Sequence, residues 1–140
     1  MKRLFHFAAL GSFFCFLVVG CSAPIDFGAA SSAVKDFHSQ LNNQDYAAIY
    51  NNSDQRFRDA VRPEQWQNLG KAIHTKLGSV TDATRRGFHV NYSFAGSTVD
   101  IVYSTKFTSG DAQEEFVWAK GSDGLRLLHY QINSDALVMK

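Results

Sequence analysis

The chain predicts an α+β domain, with N-terminal helices packed on a curved four-stranded antiparallel sheet. Two observations predict it. Apolar residues recur at three- and four-residue steps as far as Leu77, then every second residue from Phe88 onward. Turn-forming clusters then divide the second half into four segments of strand length.

The helical half opens with Ala30, Val34, Phe37 and Leu41, spaced as one face of a helix that Ser31 or Ser32 can cap. Asp45 can cap a second, short helix with Tyr46, Ile49 and Tyr50 turned inward, and Asn51, Asn52 and Ser53 break it. A brief helical segment carries Phe57 and Val61. Pro63 then suits the first turn of a longer helix, in which Trp66, Leu69, Ile73 and Leu77 share a face before Gly78 stops it.

In the strand half, Phe88, Val90, Tyr92 and Phe94 alternate with Gly87, His89, Asn91 and Ser93. Ala95, Gly96 and Ser97 turn the chain. Val99, Ile101, Tyr103, Thr105 and Phe107 form the inward set of a second strand, with Asp100, Ser104 and Lys106 opposite. After Ser109, Gly110 and Asp111, residues 112–120 place Phe116 and Trp118 on one face and Val117 and Ala119 on the other. Ser122, Asp123 and Gly124 signal a hairpin into a last strand over residues 125–133. A sheet curled on a long helix leaves a conical cavity, and Trp66, Tyr103, Trp118, His129 and Tyr130 are the residues expected to line it.

The first twenty residues read differently. Lys2 and Arg3 precede an uncharged apolar run over residues 4–19, which ends at Gly20 and Cys21. That run is shorter than the roughly twenty residues a spanning helix needs and matches a secretory signal. Val18, Val19, Gly20 and Cys21 resemble a bacterial lipobox, which implies cleavage between Gly20 and Cys21 and a lipid on the Cys21 sulfur. A thiolate is the nucleophile that chemistry requires. The expected organisation is a signal over 1–20, a lipidated cysteine and flexible tether over 21–30, one domain over 31–135 and a C-terminal tail over 136–140. The expected address is the bacterial envelope, held to the membrane by the lipid. Ser22 in place of aspartate favours the outer membrane, facing the periplasm, in a Gram-negative cell.

Processing leaves 120 residues with 12 basic and 13 acidic side chains, a balance that excludes the basic footprint of a nucleic-acid binder. The basic doublet Arg85 and Arg86 reads as a solvated loop. Cys15 departs with the signal and Cys21 carries lipid, so the mature chain has no thiol pair for a disulfide, a zinc cluster or a catalytic cysteine. His38, His74, His89 and His129 show no metal-ligand spacing, and no metal or cofactor is expected.

Residues 31–133 resemble small bacterial envelope lipoproteins of uncharacterised function in the cystatin-like, nuclear-transport-factor-2-like superfamily. The resemblance rests on QDYAAIY at 44–50, RFR at 56–58, PEQWQNL at 63–69, KLG at 76–78, VYSTKF at 102–107, EEF at 114–116 and DGLRLLHYQI at 123–132. Leu125 stands where that family often has tryptophan, and His129 where it often has a small residue. The resemblance implies a cone-shaped domain whose cavity serves ligands or acid–base residues. It transfers no catalytic residue.

The candidates for chemistry are Asp100, Tyr103, Glu114, Glu115, His129 and Tyr130. His129, in phase with Leu125 and Leu127, can act as a general base, with Tyr103 or Tyr130 polarising a carbonyl. The ordinary alternatives are a half-buried strand histidine and core tyrosines with their hydroxyls at an edge. Glu114 and Glu115 point to opposite faces of a strand and form no dyad, so one of them is solvated. The leading expectation is a non-enzymatic binding or accessory module for an envelope protein, a peptide or a small apolar ligand, with homodimerisation open. The alternatives are a small-substrate enzyme using His129 and Tyr103, and an immunity-type inhibitor of an envelope-targeted toxin.

Overall fold

A computed structural model describes residues 27–138 of the chain. The leader, the lipobox and the first part of the expected tether lie outside the described residues. The helical layer comprises α1 (Phe27–Asn42), α2 (Tyr46–Asn51), α3 (Gln55–Ala60) and α4 (Pro63–Leu77). The strands β1 (Val80–Ser93), β2 (Gly96–Phe107), β3 (Gly110–Lys120) and β4 (Leu125–Asn133) form one open antiparallel sheet in sequence order, and α5 (Asp135–Val138) follows. Helices followed by an antiparallel meander make the α+β class that the change of period predicts.

The start of each helix has a local cause. The Asp45 carboxylate accepts from the Ala48 N–H at 3.2 Å to cap α2. The Asp54 carboxylate does the same for the Arg56 N–H at 3.0 Å at the start of α3. Pro63 occupies the first turn of α4, where its missing N–H costs nothing. Gly78, at φ +82°, ends α4 in a conformation that a Cβ would strain.

Helix α1 begins at Phe27, inside the expected tether, because packing holds it. The Phe27 ring meets Phe88 edge-on at 5.6 Å, and the Arg85 guanidinium lies over the Phe27 ring, 4.0 Å from its centroid. At the far end the Asn42 amide exchanges two hydrogen bonds with the Val80 backbone, at 2.7 and 3.1 Å. Helix α1 therefore runs antiparallel to β1, and its N-terminus points towards the β1–β2 turn. At the other end of the chain, helix α5 reaches into the expected C-terminal tail. Helix α5 folds back so that the Lys76 ammonium donates to the Leu137 carbonyl at 3.1 Å, and Ala136 and Leu137 pack against the core.

Strands β2 and β3 pair without a break from Thr98–Ala119 to Phe107–Gly110, so their inward sets follow simple alternation. Two edge-strand readings need correction. β1 starts at Val80, seven residues before Gly87, and its register slips at Thr81 and again at Arg86. Arg85 and Arg86 are thus strand residues at a bulge, not a loop. In β4 the register slips at Leu128, between the Trp118–Leu127 and Val117–His129 pairs.

The core lies between the inner face of the sheet and α1 and α4. Phe37 is its hub. Its ring centroid lies 5.0 Å from Phe116, 4.8 Å from Tyr130 and 6.1 Å from Trp66.

Candidate functional site

Two features of the domain bear on function: a polar cluster closed inside the core and an open cleft beside it. The cluster is centred on Glu114, which alternation along β3 places inward with Ala112, Phe116 and Trp118. Its side chain is wholly buried. Oε2 accepts from His38 Nε2 at 2.7 Å and from the Thr105 hydroxyl at 2.5 Å, and Oε1 accepts from the Tyr130 hydroxyl at 2.6 Å. A carboxylate only accepts, so His38 presents its Nε2–H to it. Burial, together with the Glu114 charge and hydrogen bond, pushes the Tyr130 phenol well above its ordinary range and keeps it a donor. Three donors from α1, β2 and β4 thus converge on one carboxylate of β3. A desolvated carboxylate requires such partners, and removing any of them leaves a costly buried group.

The cleft lies between the N-terminal half of α1 and the β3–β4 hairpin. Its volume is about 390 Å³, within the range of small-molecule sites. Ala29, Ala33, Ile49, Trp118, Leu125 and Leu127 supply apolar lining, with Phe37 at the floor. Asp36, Gln40, Asn52 and Asp123 supply polar groups. Asp123 is held by Arg126 at 2.8 Å, and that partner lowers its pKa. Trp118 carries a buried indole N–H with no acceptor among the described residues. The small side chains of Ala29 and Ala33 on the helix make room for this cleft.

The structure separates the residues singled out by the sequence. His129 is exposed on the outer face of the sheet, opposite Val117. The bulge at Leu128 takes one residue out of the alternation, so Leu125, Leu127 and Tyr130 face inward while His129 turns away from them. Tyr103 is buried on the inner face, its ring edge-on to Phe116 at 6.2 Å. His129 and Tyr103 therefore lie on opposite faces and form no pair. Asp100 sits opposite His89 and accepts from the Asn91 amide at 3.2 Å. Of the two glutamates, Glu115 is the exposed one.

Of the residues expected to line the cavity, Trp118 borders the cleft. Trp66 and Tyr130 border a second hollow with Phe57, Val61 and Leu69, and His129 and Tyr103 line neither. The Trp66 indole N–H donates to the Tyr46 carbonyl at 2.8 Å.

Sequence reasoning passed over His38 and Thr105. His38 is four residues after Val34 and three before Leu41, so the helical spacing already placed it on the buried face. Among the described residues no three His, Cys, Asp or Glu side chains gather as a metal site. No described helix is long and apolar enough to cross a membrane.

No family model matches the sequence, and no curated protein matches it. Among solved structures the chain is similar to Bd1075 of Bdellovibrio bacteriovorus, with a TM-score of 0.50 and 12% identity. The match covers 75% of this chain and 39% of that one, so the likeness spans well under half of Bd1075. At that identity it shows a shared fold: helices followed by a four-stranded antiparallel sheet.

Proposed function

We propose that this chain is a lipid-anchored protein of the bacterial envelope that acts as a non-enzymatic binding module. It takes a small apolar ligand, or the apolar side chains of a peptide, in the cleft between α1 and the β3–β4 hairpin. We place its domain in the cystatin-like, nuclear-transport-factor-2-like class, with the helix-then-meander order and the open four-stranded sheet in support. The single observation that carries the binding reading is the cleft itself: an apolar floor of ligand size with a few polar groups around it. Supporting binding over turnover is the position of the proton-transfer groups. The Glu114 cluster is buried and its bonds are satisfied internally, and His129 is on the far face of the sheet. The anchor rests on the lipobox-like LVVGC at 17–21.

The test fills the cleft. Ala33→Trp projects an indole from α1 into the space, while the sheet side is left intact. Native mass spectrometry of the mature protein from its own envelope is expected to show a retained small ligand or peptide in the wild type and none in the variant. Wild-type protein that carries nothing, or a variant that carries the same mass, would sink the cleft reading. The anchor is tested separately. Cys21→Ser is expected to stop acyl labelling and leave an unprocessed precursor, and continued labelling would refute it.

A further inference from the structure

The β1–β2 hairpin ends in an exposed aromatic pair. Tyr92 is 67% exposed and Phe94 wholly so, and no residue from 92 to 99 carries a charge. Water does not favour two large rings at a turn, and nothing among the described residues covers them. Burying the pair in a polar–apolar boundary would release that cost without desolvating an ion.

The rest of the geometry says which boundary. Helix α1 is fixed at both ends, by Asn42 on Val80 and by Phe27 on Phe88, so the chain enters the domain at the hairpin end. Cys21 stands six residues before Phe27, a reach of at most about 20 Å for extended chain. Phe94 stands six residues beyond Phe88, about 20 Å along a strand. A lipid on Cys21 and the ring of Phe94 can therefore lie in one plane with the domain standing above it.

We infer that the β1–β2 turn is a membrane-interface contact, in which Tyr92 and Phe94 sit among the lipid headgroups beside the acylated N-terminus. The inference rests on the lipid-anchor reading. Tyr92, a ring with a polar hydroxyl, suits that zone, and Phe94, wholly apolar, gains by leaving water at its acyl side. Two contacts, one covalent lipid and one aromatic turn, would fix the domain's orientation where a tether alone would leave it free. The orientation also places the cleft beside the bilayer, because the N-terminal half of α1 and the β3–β4 turn border it.

The experiment uses the lipidated protein, made with its own leader and reconstituted into phosphatidylethanolamine–phosphatidylglycerol vesicles. Phe94→Trp puts a reporter indole at the turn. The native Trp66 and Trp118 are buried and are subtracted with the wild-type signal. The expected result is quenching of that indole by lipids brominated near the headgroup. Unlipidated mature protein, made without its leader from Ser22 onward, should partition to the same vesicles roughly ten-fold less when Phe94→Ser is added, the loss expected when half a Phe side chain no longer leaves water. Intact acyl labelling with an unquenched indole overturns the turn contact alone. Absent labelling overturns the anchor and this inference together. A solution dimer that Phe94→Ser dissociates assigns the pair to a second copy of the chain and overturns the membrane contact.

Discussion

Glu114→Gln tests whether the closed polar cluster is the keystone of the core. Glutamine nearly matches glutamate in volume, so the cavity term is small. What changes is the sense of the hydrogen bonds. Oε2 serves His38 and Thr105, and Oε1 serves Tyr130. An amide that keeps its oxygen towards His38 and Thr105 turns an NH₂ group on the Tyr130 hydroxyl. That hydroxyl can rotate to accept, but its own hydrogen then has no partner in a site where Glu114 is 0% exposed. The opposite amide orientation orphans two donors and is worse.

The cheaper arrangement orphans one buried hydrogen, at about 1–3 kcal/mol, and reduces two charge-assisted bonds to neutral ones, at about 0.5–1 kcal/mol each. The expected loss is about 3 kcal/mol, a large share of the roughly 5–15 kcal/mol that holds a domain folded. Urea unfolding followed by Trp66 and Trp118 fluorescence reads it. Tyr130→Phe, alone and combined with Glu114→Gln, completes the cycle and should show a coupling of at least about 1 kcal/mol. A Glu114→Gln protein within about 0.5 kcal/mol of wild type, the range of an ordinary surface change, would refute the reasoning. So would strict additivity with Tyr130→Phe.

Other outcomes follow from single contacts. Gly70→Ala brings a Cβ to 2.5 Å from the Tyr46 ring. Overpacking of about 1–3 kcal/mol should outweigh the helix-propensity gain of about 1 kcal/mol, so a rise in the urea midpoint would contradict the packing. Trp66→Phe removes the donor to the Tyr46 carbonyl and should cost about 1–3 kcal/mol, with the loss concentrated in the α2–α4 contact by hydrogen exchange. The Arg56 guanidinium holds Asp54 below the usual carboxylate range. The unfolded chain therefore binds the proton first, and this contribution is present above about pH 4 and lost as pH falls through the folded value. Asp54→Ala should cost about 1 kcal/mol at neutral pH through the lost α3 cap and flatten the acid limb of the stability curve. An unchanged acid limb would remove Asp54 from it.

Much of the fold was legible because two strands are regular. β2 and β3 pair without a slip, so Val99 to Phe107 and Ala112 to Trp118 could be assigned to faces by counting in twos. The edge strands could not. Each bulge consumes one residue without advancing the alternation, and nothing in the composition of Thr81, Arg86 or Leu128 announces it. One such residue moved His129 from the inside to the outside. The start of α1 was obscured for another reason. Ala, Ser and Gly read as tether, yet Phe27 on Phe88 and Arg85 stabilises a turn that propensity alone would not. The Glu114 cluster was half legible. His38, Thr105 and Glu114 lie in phase with buried neighbours, but Tyr130 joins them only across the bulge at Leu128, and His38 and Glu114 are 76 residues apart, so their meeting depends on how α1 lies across the sheet.

The closed cluster and the open cleft are two sides of one wall. Phe37 floors the cleft and packs on Phe116 and Tyr130, while its neighbour His38 bonds Glu114. Helix α1 is thus pinned at three levels: Phe27 on Phe88, His38 on Glu114 and Asn42 on Val80. Of these, only the middle one is a buried, charge-assisted bond directly behind the cleft floor. Such a bond resists sliding of the helix, because a shift of about 1 Å would break it without offering another partner. On the proposed reading, the cluster's role is to hold the cleft open at a fixed width before any ligand arrives, which lowers the ordering cost of binding. Glu114→Gln should then weaken ligand retention although Glu114 touches no ligand, and it should do so at denaturant-free conditions where the protein is fully folded. Retention that is unchanged in a folded Glu114→Gln protein would separate the two features and leave the cluster a stability element alone.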